Sequence, residues 1–158
     1  MLHTSFANEI LQFVTAKQKT LSGTGLCYLG FSTTVPTQNG SNFTEPDSTT
    51  YPSYERIQLS VSEALEYTDV WGSVANGVVS NVKEFTSREC LEDAGWPEFV
   101  CFGVFKTKTG GTPMVSDKLR DPDGTPDETT GLYPEKTLTV TKGKVAVFRA
   151  GTLQLSLK

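Results

Sequence analysis

Histidine is almost missing from this chain: the single one, His3, stands at the third position. A Ser-His-Asp or Cys-His site needs an imidazole held by a scaffold. His3 is expected outside the core, so that chemistry finds no base here. Cysteine is scarce as well. Cys27, Cys90 and Cys101 are odd in number and widely spaced, which leaves a zinc set without its ligands. Cys27 and Cys101 fall within apolar strand runs, where a thiol acts as a small hydrophobe. A bridge between them would need an oxidising compartment. A basic excess is lacking too: 14 Lys and Arg against 18 Asp and Glu give a net charge of −4 and a pI near 5.0. Scattered cations on an acidic chain do not suit a phosphate backbone, so nucleic acid is not expected as a partner. No apolar run approaches the ~20 residues that span a bilayer, and no basic start precedes an apolar leader. Synthesis in a cytoplasm is therefore expected, with no membrane partner. Gly23-Thr24-Gly25 and Gly110-Gly111 lack the Lys and helix start of a phosphate loop, and no repeat of 20–50 residues is visible.

What is present fits one globular domain of 158 residues, with 37% apolar and 20% charged residues. Such a length buries about two thirds of the unfolded surface. The division expected is an N-terminal helix and linker over 1–24 and a β domain over 25–158. Phe6, Ile10, Phe13 and Val14 fall at i, i+4, i+7 and i+8, one apolar stripe of a helix over 4–17. Thr4 or Ser5 can cap it, and Ser22-Gly23-Thr24-Gly25 ends it. From Leu26 the pattern turns β. Leu26–Phe31 is a continuous apolar run, as in a strand covered on both sides. Residues 34–54 hold Pro36, Gly40, Pro46 and Pro52 and read as a long loop, a length usually reserved for function. Ile57, Leu59 and Val61 alternate with polar residues, and Asn76-Gly77 splits Trp71–Val82 as a two-residue hairpin turn. Residues 86–97 are ambiguous. Phe99–Phe105 runs to a Gly-Gly turn, 121–134 reads as an exposed insertion, and Thr137–Val140, Val145–Phe148 and Leu153–Leu157 complete the sheet. The fold class expected is mainly β: an antiparallel β-sandwich or jelly-roll-like single domain with an N-terminal α-helix.

No catalytic, metal or cofactor-binding residue emerges. Glu63, Glu66 and Asp69 read as a solvated face, although a carboxylate pair is recognised by spatial separation rather than by sequence. Asp121–Glu128 collects oxygen donors, yet a calcium loop would need Gly where Pro126 stands and Glu where Leu132 stands. Asn42-Phe43-Thr44 matches a glycosylation acceptor by chance, given no secretory route. The useful clue is aromatic residues in polar loops, since Phe43, Tyr51, Tyr54 and Tyr133 could anchor a partner or a sugar. Of these, Tyr54, which precedes a strand, is expected in the core. The candidate interface residues are Phe6, Ile10, Phe13 and Val14 of the helix stripe, with Phe43 and Tyr51 of the loop.

Five segments, in order, carry a resemblance: Tyr28-Leu29-Gly30-Phe31-Ser32-Thr33-Thr34-Val35-Pro36, Thr44-Glu45-Pro46, Tyr54-Glu55-Arg56, Phe102-Gly103-Val104-Phe105 with Gly110-Gly111, and Ala150-Gly151-Thr152-Leu153-Gln154-Leu155-Ser156-Leu157. Together they resemble a family of small β-sandwich virion structural proteins of tailed bacteriophages, of tail-fibre or head-decoration type. The resemblance implies a non-enzymatic virion component, foremost a capsid decoration or head-fibre base. Alternatives are a tail-fibre or baseplate subunit, and a carbohydrate-binding module for host glycans. It implies other phage structural proteins, of capsid or tail, as partners, and a homo-oligomer, with a trimer among the assemblies allowed. The insertions at 83–98 and 120–134 depart from the family pattern.

Overall fold

The computed structural model describes residues 2–5, 7–8, 10, 27–59, 72–73, 75 and 78–156. Eight strands are found among them: β1 (Tyr28–Ser32), β2 (Ile57–Gln58), β3 (Val78–Ser80), β4 (Phe85–Thr86), β5 (Cys101–Phe105), β6 (Val115–Lys118), β7 (Val147–Phe148) and β8 (Gln154–Ser156). Every pairing is antiparallel. The main sheet has the order β2-β1-β5-β6, and β3-β8 and β4-β7 form two ribbons. The protein is thus mainly β, as its patterning indicates. The described strands amount to one full sheet and two ribbons, and a second full sheet facing the first is not among them.

β1 is buried at every residue, as its unbroken apolar run requires. Opposite β5, Leu29 faces Val104 and Phe31 faces Phe102, while Gly30 faces Gly103. Alternation therefore gives the sheet two different faces. One carries Leu29, Phe31, Ile57 and Val104 into the core, where Phe85, Trp96, Phe99, Ala146 and Leu153 join them. Phe31 stacks on Phe148 of β7 at 5.7 Å and on Phe99 at 5.2 Å between ring centroids. The other face carries Tyr28, Gly30, Ser32, Gly103 and Phe105.

The two ribbons are one interrupted pairing. Val78, Val79 and Ser80 oppose Ser156, Leu155 and Gln154, and Asn81 N bonds to Leu153 O. Phe85 and Thr86 then oppose Phe148 and Val147, and Ser87 N and Cys90 N reach Ala146 O and Lys144 O. The register slips by one residue at Arg149–Thr152, where Gly151 takes φ +80°. Asn81, 1% exposed, fills the gap: its side chain donates to Arg149 O and Lys83 O and accepts from Leu153 N. The expected hairpin at Asn76-Gly77 is supported by its flanks, since Ala75 and Val78 exchange both hydrogen bonds. Thr137–Val140 is reduced from an expected strand to a bridge between Leu138 and Phe99.

The N-terminal helix expected over 4–17 is not seen as an element. Thr4, Ser5, Ala7, Asn8 and Ile10 have helical backbone, with Ala7 N bonded to His3 O at 2.9 Å, and the rest of that span lies outside the described residues. His3 corrects a second expectation, for it is wholly buried rather than outside the core. Leu2 pairs with Val115, and His3 N bonds to Met114 O. The main sheet continues through these residues and draws the imidazole inward. Cys90 and Cys101 are free thiols, and both are buried. Burial, with the nearby Asp117 carboxylate, pushes the Cys101 thiol up to about 11, which suits a small core hydrophobe.

Candidate functional site

A glycine inside a strand weakens it unless something must come close. Gly30 and Gly103 oppose each other, and what comes close is the loop from Thr33 to Pro46. A methyl group at Gly103 would lie 2.6 Å from the Phe43 ring, and one at Gly30 would lie 2.5 Å from Glu45 Oε1. This stretch is a strap laid across the second face of the sheet. Phe43, half-buried, meets Phe105 edge-on at 5.1 Å and 79°. Thr33 N bonds to Thr44 O, and Ser32 Oγ accepts from Thr34 N and Thr44 N.

The strap is fastened by a buried ion pair. Arg56 directs Nε and Nη2 onto Glu45 at 2.9 and 2.5 Å, with side chains 3% and 22% exposed. Its Nη1 donates to Thr107 O and Gly110 O at 2.8 Å each, which ties the β5–β6 turn into the same knot. The guanidinium lies 3.3 Å above the Phe105 ring. Arginine suits this place because its planar fork can pair bidentately and stack at once. Tyr54 Oη donates to Glu45 Oε1 at 3.1 Å and accepts from Phe31 N at 2.8 Å, an amide that β2 stops short of reaching. Burial and the neighbouring carboxylate push the tyrosine hydroxyl well up, so it stays a neutral donor. Gly110 and Gly111 turn with φ of +64° and +74°. The segments Tyr28–Pro36, Thr44–Pro46, Tyr54–Arg56 and Phe102–Gly111 thus meet in one place.

A second knot holds the far end of the loop. Ser53 N and Oγ donate to Glu92, and Trp96 Nε1 donates to Glu92 Oε2 at 3.0 Å. Burial opposes the Glu92 charge, yet the bonds from Ser53 outweigh it and hold the carboxyl near 2. Ahead of the first knot the strap turns Thr34, Val35, Thr37, Gln38, Asn39, Ser41 and Asn42 to solvent, with Val35 50% exposed. Asn42 adopts φ +66°, a conformation asparagine tolerates, and a Thr34 Oγ1 bond to its carbonyl holds it. A shallow cleft of about 390 Å³ beside the second knot is lined by Pro52, Ser53, Arg88, Glu89 and Leu91.

Phe6, Phe13 and Val14 lie outside the described residues, and Ile10 is half-buried. Phe43 holds the strap to the sheet, and Tyr51 is half-buried against the core. Tyr54 is core, as its place before a strand indicated. Tyr133 is exposed beside Leu132 on the 121–134 insertion, which is itself exposed. The Asp121–Glu128 carboxylates serve their own loop: Asp127 accepts from Thr129 N and Thr130 N, and Asp121 pairs with Lys136 at 3.0 Å. Among the described residues no group of His, Cys, Asp and Glu could hold a metal ion. Glu63, Glu66 and Asp69 lie outside the described residues.

Sequence reasoning picked out Glu45 and Arg56 only as family marks and gave them no structural role. The paired strand-interior glycines were the available signal, because each marks a place where something must lie against bare backbone. A family model described as podophage GP4 fiber I protein gp80 matches residues 1–156. No curated protein matches the chain.

Proposed function

Because the chain belongs to the podophage GP4 fiber I protein family, a family of phage virion structural proteins, we propose that it is a non-enzymatic fibre subunit of the particle, bound to other virion proteins. The match over 1–156 carries this reading. The strap supports it, since one end is fixed by the Glu45–Arg56 pair and the other by hydrogen bonds among Ser32, Thr33 and Thr44 rather than left free. A pre-ordered surface costs less entropy on binding than a mobile one. In an array of identical subunits, modest individual contacts add up to firm attachment. The attachment surface in this reading is the outer side of the strap, with Phe43 as its anchor, together with the start of the chain around Ile10. Homo-oligomerisation, a trimer included, belongs to the same reading.

Fibre subunit replaces capsid decoration as the first choice because the family description is of a fibre protein. Head and tail fibres both remain within it. The glycan-module alternative has less to stand on, since Tyr51 turns part of its ring to the core. Cryo-electron microscopy of intact particles, with antibody labelling of this protein, tests the proposal. Label on projecting fibres is expected. Label spread over the shell faces would return the protein to a decoration role, and absence from particles would overturn the virion reading.

A further inference from the structure

We propose that His3 is a proton-operated latch, fastening the start of the chain to β6 and the strap near neutral pH and releasing it in mild acid. Three segments meet at this one wholly buried ring. Nδ1 lies 3.0 Å from Gln38 O on the strap, and Nε2 lies 2.9 Å from Ser116 Oγ on β6. A carbonyl can only accept, so Nδ1 carries the proton and Nε2 accepts from the serine hydroxyl. The backbone repeats the connection: His3 N donates to Met114 O at 3.0 Å, and Thr4 N reaches Gln38 O at 3.4 Å. Gly40 completes the enclosure, since a methyl group there would lie 3.3 Å from Nδ1.

A second proton on this ring would place a charge in a dry site where, among the described residues, no carboxylate is bonded to the ring. The strap segment Thr37–Gly40 bears no ionisable side chain. On β6, Asp117 and Lys118 follow Ser116; Asp117 Oδ1 already accepts from Lys118 N, and Lys118 Nζ is committed to Glu135. The α-ammonium, on the same segment as the ring, is itself positive. Burial first, with that ammonium adding to it, lowers the ring's proton affinity below the ordinary 6.5, against the raising effect of the Gln38 bond.

The sign follows from linkage. The released ring binds its proton near 6.5 and the fastened ring only at lower pH. Acidification through 6.5 therefore favours release, by up to about tenfold per pH unit, until the fastened ring titrates too. Above that window the latch is indifferent to pH.

His3 is the only histidine, so proton NMR of the intact protein follows one imidazole. A titration midpoint below 6.5 is expected. Amide exchange at His3 and Ala7, corrected for intrinsic rate, should rise between pH 7.5 and 5.5, and His3→Gln should remove that rise. A midpoint at or above 6.5, or corrected exchange unchanged across the range, would overturn the latch. Should His3→Gln fail to fold, the two wild-type measurements decide alone.

Discussion

Arg56 concentrates more interactions than its neighbours, and its pairing with Glu45 has an energetic consequence. A buried pair is not in itself strong support for stability, because desolvation offsets much of the attraction. Removing one partner is another matter, since the remaining charge keeps its desolvation cost and loses its compensation. Arg56→Met should therefore destabilise by about 3 kcal/mol, with Glu45, 22% exposed, recovering part of its hydration. Adding Glu45→Gln should restore part of that loss, because the two sites share one interaction and do not add. Urea denaturation of both single variants and the double variant would measure the coupling. Strict additivity would show that the pair is solvated in solution and fastens nothing.

At the scale of elements, the ribbon depends on Asn81 at its register slip. Asn81→Ala would leave Leu153 N without its acceptor and take one donor from Arg149 O, which keeps Thr152 N and Oγ1, a loss of about 1–3 kcal/mol. The midpoint of chemical denaturation should fall while its slope stays fixed, since the surface exposed on unfolding is unchanged. The elements legible in the sequence were those whose signal is local. β1 is a continuous apolar run, the Gly110-Gly111 turn has its glycines in the left-handed region, and Ala75 and Val78 flank a two-residue turn. β6 was missed because Val-Ser-Asp-Lys offers a single apolar residue; the β5 ladder makes it a strand, and its buried Ser116 answers to an imidazole 113 residues away. His3 was misplaced for the same reason: its partners lie 35 and 113 residues along the chain, beyond the reach of any periodicity. Glu45 and Arg56, eleven residues apart, stood in plain sight as sequence marks. Their joint role shows only once Gly30 brings backbone and carboxylate together.

For the whole molecule, what joins the layers also sets the order in which they can form. Of the strand pairs in the main sheet and ribbon, only β5–β6 links residues close in sequence. β1 waits for Cys101–Phe105, and β3 waits for Gln154–Ser156. Such topologies fold slowly, in milliseconds to seconds, because loop closure precedes its reward. At about 5–20 residues added per second, a nascent chain carries Leu29 and Phe31 uncovered for several seconds before β5 exists. Pulse-labelled hydrogen exchange during refolding should find the β5–β6 amides protected first and those of β3–β8 last; simultaneous protection would show that the ribbon is part of the nucleus. Crowded synthesis of many copies thus sets the apolar side of β1 against its counterparts on neighbouring chains, a race that helper proteins or rapid β5–β6 closure must win.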